Sequence, residues 1–116
     1  MAHKDFSQMK NDFKEIIEYC KGLKVGDKIK FKSEKQRYTI KLKSDRFLIC
    51  TKPFNIKKTC FYSIIDLERL VRGANDRVFN PYDYMKQEDI DKCLEDLEKG
   101  NVSVSHKNSV LLDIEI

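Results

Sequence analysis

The chain predicts an α+β domain: an N-terminal helix, a bent and mostly antiparallel β-sheet, and a second helix before the C-terminal strands. Three observations carry that prediction. Apolar residues recur at three- and four-residue steps over 5–22 and again over 87–99. Between those stretches, short runs alternate apolar and polar residues, separated by turn-forming residues. A length of 116 residues suits one domain spanning 1–116.

The first helix carries Phe6, Met9, Phe13, Ile16, Ile17 and Cys20 on one side, and Asp12, Lys14, Glu15, Glu18 and Lys21 on the other. Gly22 is its stop signal. The stripe suits a core or a subunit contact. The segment 25-VGDKIKFK-32 turns at Gly26-Asp27 and then alternates, with Ile29 and Phe31 on one face. In 37-RYTIKLK-43, Tyr38, Ile40 and Leu42 are expected on one face, and the lysines at 28, 30, 32, 41 and 43 point outward. Ser44-Asp45 makes another turn, and 46-RFLICTK-52 is apolar on both faces at its centre. These three short strands read as an antiparallel meander. Pro53 opens a loop over 53–58, because proline cannot donate to a central ladder. A fourth strand follows over 59–66. The run 67-LERLVRG-73 suits either an extension of that strand or a short helical turn, and 74–85 reads as a structured loop. The second helix, 87-QEDIDKCLEDLEK-99, has a narrow stripe of Ile90, Cys93, Leu94 and Leu97. Acidic residues crowd its first turn, and Gly100 suits its C-terminal cap. Strands at 102–105 and 109–116 are broken by His106-Lys107-Asn108.

Composition narrows the function classes. The chain is 41% apolar and 36% charged, so it can bury a modest core under a heavily charged surface. No apolar run is long enough to span a bilayer, and MAHKDFSQMK lacks the apolar centre of a signal peptide, so a cytoplasmic protein without a membrane partner is expected. Residues 1–60 carry 16 Lys/Arg and 7 Asp/Glu, a net of +9, whereas 61–116 carry 7 and 12, a net of −5. A basic half attracts phosphates, on nucleic acid or on a small nucleotide; the competing reading is simply a lysine-rich surface.

Catalytic machinery is not evident. There is no nucleophile elbow, P-loop or dinucleotide-binding glycine motif. Cys20, Cys50, Cys60 and Cys93 have no metal-ligand spacing, and the histidines are His3 and His106, so no metal or cofactor is expected and the cysteines are read as reduced and buried. The acid pairs Glu88/Asp89 and Asp91/Glu95 suit a solvated helix face.

Binding is better supported. Three segments carry polar and aromatic residues that a plain scaffold does not need: 46-RFLICTKPF-54, 72-RGANDRVF-79 and 105-SHKNSV-110. A nucleotide asks for cations at its phosphates, a plane for stacking and an amide for a base edge. Lys52, Arg72, Arg77 and Lys107 suit the first need, Phe54, Phe79 and Tyr82 the second, and Asn75 and Asn108 the third; Arg46 flanks the first segment as a further ligand-binding candidate. His106 donates or accepts without full charge. Each has a structural competitor: turn geometry for Asn75, Asn108 and His106, core closure for Phe79, and pairing with Asp45 or an acid of the second helix for Arg46.

The runs 46-RFLICTKPF-54, 61-FYSIIDLERLVRGANDRVF-79 and 105-SHKNSVLLDIEI-116 resemble small phage and prophage counter-defence proteins that act as sponges for immune signalling nucleotides, as in Thoeris anti-defence. The resemblance covers roughly 25–116. It implies a non-catalytic protein of the infected bacterial cytoplasm that captures a cyclic ADP-ribose isomer or a cyclic oligonucleotide, in a symmetric homo-oligomer with ligand pockets at subunit junctions. Arg72 and Asn75 are matched to the family's RG-xx-N segment, although only Ala74 separates Gly73 from Asn75 here, one residue short of that spacing; His106, Asn108 and Val110 match its C-terminal turn. Lys107 and Ser109 stand where arginines are expected and Leu111 where a proline is, and lysine cannot make arginine's bidentate phosphate contact.

The alternative is a small phage protein that inhibits a host nuclease or CRISPR effector, or binds nucleic acid directly. The basic half favours nucleic acid; the absence of Trp and of any zinc or helix-turn-helix pattern disfavours a dedicated DNA reader. A nucleotide-cleaving phosphodiesterase would need the paired histidines or metal cluster that the sequence does not display.

Overall fold

An antiparallel sheet whose two ends meet organises the chain. The computed structural model describes residues 6–53, 60–79, 90–100 and 109–116, and only the backbone of 6–13, 79 and 109. In chain order the elements are α1 (Phe6–Gly22), β1 (Lys28–Ile29), β2 (Tyr38–Lys43), β3 (Phe47–Pro53), β4 (Cys60–Asp66), α2 (Leu67–Val71), β5 (Asp76–Phe79), α3 (Ile90–Glu98) and β6 (Ser109–Leu111). The six strands lie side by side in sequence order, every pair antiparallel. Beyond β6 the chain returns to the start of the sheet. Phe31 and Ile114 form a bridge, with Lys32 N donating to Asp113 O at 2.8 Å and Glu115 N to Lys30 O at 2.8 Å. This closure leaves an inner and an outer face. The expected α+β architecture is the observed one.

The inner face holds Phe31, Tyr38, Ile40, Leu48, Cys50, Ile65, Leu112 and Ile114, joined by Cys20 and Leu23 at the end of α1 and Leu67 and Leu70 of α2. The outer face holds Phe47, Ile49, Tyr62, Ile64 and Val78, covered by Cys93 and Leu97 of α3. Strand β3 is therefore buried on both sides, as its unbroken apolar centre requires. The described part of the α1 stripe is core. Lys43 Nζ caps the end of α1, 2.7 Å from the carbonyls of both Lys21 and Leu23.

Four expectations change. Pro53, expected to open a loop, ends β3 and pairs with Cys60. Leu42 does not share a face with Tyr38 and Ile40. A bulge between Ile40 and Leu42 shifts the register, so Leu42 pairs with Ile49 and packs on the outer face. Residues 76–79, expected within a loop, form β5 between β4 and β6. The C-terminal strand is shorter than 109–116; it ends at Leu111, and the bridge at Ile114 follows. The strand expected at 102–105 lies outside the described residues. The ambiguous run after Asp66 is helical, because Asp66 caps it: its carboxylate accepts from Glu68 N at 3.1 Å and Arg69 N at 3.2 Å. The helix stops at Gly73, whose φ of 108° suits glycine.

The four cysteines are buried and unbridged. Burial pushes the Cys20 and Cys50 thiols up to about 12, which keeps them protonated and unreactive. Among the described residues no helix is long and apolar enough to cross a membrane.

Asp66 both caps α2 and pairs with Arg46, so Asp66→Ala should lower stability by about 1–2 kcal/mol in urea unfolding, and Asp66→Asn, which keeps an N-cap acceptor, by less. Equal losses for the two variants would show that the cap contributes nothing.

Candidate functional site

Of the residues singled out from the sequence, Arg46, Lys52, Arg72, Asn75 and Arg77 have described side chains, and the cations among them divide between two ends of the sheet. Phe54, His106, Lys107 and Asn108 lie outside the described residues, and of Phe79 only the backbone is described.

Arg46 and Arg72 share a groove. Arg46 follows the turn in which Ser44 Oγ accepts from Phe47 N at 2.9 Å. The β3–β4 register sets Phe47 opposite Asp66, and this carries the Arg46 side chain to the Asp66 carboxylate, with Nε 3.1 Å from Oδ1 and Nη2 3.0 Å from Oδ2. Arg46 therefore does not pair with Asp45 or with the α3 acids. Its partners are Asp66 and, at 3.7 Å, Glu68. The hydrogen bond to Asp66 raises its pKa further. Arg72, at the end of α2, reaches the other Glu68 oxygen at 3.0 Å. Glu68 thus stands between two guanidinium groups. The surrounding groove measures about 400 Å³ and is open to solvent, and Lys21, Asp45, Leu67 and Val71 line it with the two arginines and Glu68. Arg72 is 76% exposed and Arg46 47%, so both can exchange a carboxylate for a ligand at small cost.

Lys52 belongs to a second cluster, at the far end of β3 on the inner face. Its ammonium lies 2.5 Å from Glu34 Oε1, 5.1 Å from the centre of the Tyr38 ring and 5.4 Å from that of Phe61. Tyr38 Oη donates to the same Glu34 oxygen at 2.8 Å. The other Glu34 oxygen takes a hydrogen bond from Arg77 Nη2. Arg77 Nη1 donates to Ser63 Oγ at 3.0 Å, and its guanidinium lies 3.5 Å from the centre of the Phe31 ring. The sequence offers Arg77 as a surface cation for phosphates. The structure buries it instead, because β5 pairs on both sides and alternate residues of a strand face opposite ways. Burial alone raises the Glu34 pKa, but hydrogen bonds from Lys52, Arg77 and Tyr38 outweigh it and hold the carboxyl below its ordinary value. Burial, then the bond to Glu34, pushes the Tyr38 hydroxyl well above its ordinary value. Glu34, Tyr38 and Ser63 escape a reading of the sequence; the one available signal was an acid four residues before a tyrosine.

The segment 72–79 is a turn that leads into a strand. Asp76 pairs with Arg69 at 2.9 Å, and the Asn75 carbonyl accepts from Leu112 N at 3.1 Å. Asn75 Oδ1 is buried with no hydrogen-bond partner among the described residues. Asn75 is not among the residues that line the Arg46–Arg72 groove. Among the described residues no group of three or more His, Cys, Asp or Glu stands where it could hold a metal ion.

Glu34→Gln should lower stability at neutral pH by about 2–3 kcal/mol, below the range for a fully buried pair because Glu34 keeps some solvent contact. A carboxyl with a depressed folded pKa stabilises above its ordinary value of 4.5 and loses that contribution as pH falls through the folded value. The gap between wild type and variant should therefore close in acid. Urea midpoints measured down the acid limb check this, and a gap that stays constant would contradict it.

No protein-family model, curated protein or solved structure matches the chain.

Proposed function

We propose that the protein is a non-catalytic binding protein that sequesters a small phosphate-bearing signalling nucleotide, in the manner of a phage counter-defence sponge acting in an infected bacterium. The observation that carries this reading is the convergence of Arg46 and Arg72, distant in the chain, on one groove that Leu67 and Val71 also line. Exposed arginines flanking a single carboxylate suit a phosphate, because a guanidinium grips an oxyanion through two parallel N–H donors. Leu67 and Val71 offer the flat apolar contact that a base or ribose needs. The groove's volume of about 400 Å³ lies within the range of small-ligand sites. The resemblance of the 46–54 and 61–79 runs to the sponge proteins supports the same ligand class.

Tight capture needs enclosure: nanomolar affinity corresponds to about 12 kcal/mol. The groove is open, and Val71 in its lining is 53% exposed. A second copy of the chain laid across Val71 would close it, so the proposal includes a homo-oligomer whose ligand lies at the junction of subunits.

Titration calorimetry with cyclic ADP-ribose isomers, cyclic di- and trinucleotides and short DNA tests this reading. One small nucleotide should bind stoichiometrically and be recovered with its mass unchanged. Arg46→Ala and Arg72→Ala should each weaken binding by about tenfold or more, the loss of one charge-assisted contact, and leave the fold intact. Unchanged affinity in both variants, a changed ligand mass, or salt-dependent binding of DNA alone would each overturn it.

A further inference from the structure

The inner-face cluster is built like an oxyanion site that already holds an anion of the chain itself. Its donors differ in kind and come from separate strands: the Tyr38 hydroxyl from β2, the Lys52 ammonium from β3 and the Arg77 guanidinium from β5, which is held in turn by the Ser63 hydroxyl of β4 accepting from Nη1. Sheet pairing fixes all four strands. The acceptor does not come from the sheet. Glu34 sits in the turn that joins Phe31 to Tyr38, and its neighbours Lys35, Gln36 and Arg37 are exposed. Three bonds hold the start of that turn: Lys32 N to Asp113 O at 2.8 Å, Ser33 N to Asp113 Oδ2 at 2.8 Å and Glu34 N to Phe31 O at 3.0 Å. The donors lie on paired strands and the carboxylate on a connecting turn.

We propose that Tyr38, Lys52 and Arg77 form a phosphate site, that Glu34 fills it in the unliganded protein, and that a phosphate group enters by displacing the Glu34 carboxylate and swinging the 32–37 turn outward. The chemistry is complementary. A guanidinium beside an ammonium and a hydroxyl is a donor set for an oxyanion, and a tetrahedral phosphate offers every oxygen a carboxylate does and more. Access exists, since the Glu34 and Lys52 side chains each keep 17% of their surface in solvent. Phe61, half-buried beside Lys52, supplies an apolar flank. An internal carboxylate also explains how a buried guanidinium stays folded without ligand, because an unpaired charge there would be expelled. The site is independent of the Arg46–Arg72 groove, which lies at the other end of β3.

The test is a thermal-shift and calorimetric titration of the full chain with inorganic phosphate, with chloride at matched ionic strength as control. Wild type, Glu34→Ala and Glu34→Ala with Lys52→Ala are compared. Phosphate should bind Glu34→Ala about tenfold or more tightly than wild type, because no internal carboxylate then competes. It should raise the melting temperature of Glu34→Ala, or refold it if the variant is unfolded in chloride. The Lys52→Ala second change should abolish that rescue. In wild type, phosphate should increase amide hydrogen exchange in 32–37. Repeating the titration with a nucleoside monophosphate identifies the source: tighter binding than inorganic phosphate assigns the site to a phosphoester, and no binding assigns it to the free ion. Equal phosphate affinity in wild type and Glu34→Ala, or failure of phosphate to stabilise or refold Glu34→Ala and Glu34→Gln, would overturn the proposal. The groove reading would stand in either case, since Arg46 and Arg72 are intact in every variant.

Discussion

A positive charge inside a closed sheet is the constraint on which the rest of this structure depends. Arg77 is 1% exposed, and a guanidinium at that depth is tolerated only when it is paired and hydrogen-bonded. Glu34 provides the pair, Ser63 a hydrogen bond and the Phe31 ring a face to stack on. Phe31 and Glu34 come from the turn before β2, and Ser63 comes from β4. Phe31 also bridges Ile114 where the sheet meets itself, so the residue beneath the buried charge is the one that closes the sheet. Tyr38 meets the Phe31 ring edge-on, at 5.4 Å between centres, while its hydroxyl holds Glu34. Packing, closure and charge compensation are therefore coupled through the same few side chains.

The two ends of the sheet solve different problems. Near the Ser44–Asp45 turn, the inner face is apolar, and α1 and α2 cover it with Cys20, Leu23, Leu67 and Leu70. The cations of that end, Arg46 and Arg72, remain outside and keep large fractions of their surface in water. At the opposite end the inner face turns polar, and Lys52 and Arg77 are drawn inward towards one carboxylate. The same residue types thus serve as exposed, exchangeable contacts at one end and as enclosed ones at the other. Ion pairs at the first end contribute little to stability because water screens them, whereas removing one partner at the second leaves a charge stranded.

Local pattern made part of this legible. The stripes of α1 and α3 repeat at helical spacing, and the described parts of both meet the sheet with the expected residues, Ile16, Ile17 and Cys20 on one side and Cys93 and Leu97 on the other. The unbroken apolar run of β3 implied burial on both faces. Leu42 shows where pattern misleads: a strict alternation assigns it to the face of Ile40, but one extra residue in the bulge reverses it. Strand β5 was hidden because Asn75 and Asp76 are turn-forming types; in this fold the Asn75 carbonyl accepts from Leu112 N, while Asp76 pairs with Leu111 in the ladder and with Arg69 as an ion pair.

The sequence by itself determined the fold class, helices α1 and α3, the first four strands, the buried cysteines and the supply of cations, because these follow from periodicity and composition over a few neighbouring residues. It also marked Arg46, Lys52 and Arg72 as worth attention. Only the tertiary structure decided which of them act together. The β3–β4 register brings Arg46 to Asp66 and Glu68 and so to Arg72, while the curl of the sheet carries Arg77 across to Phe31 and Glu34. Convergence of this kind depends on register, on a single bulge and on the point where the sheet closes. Those are properties of residues far apart in the chain, and no local window contains them.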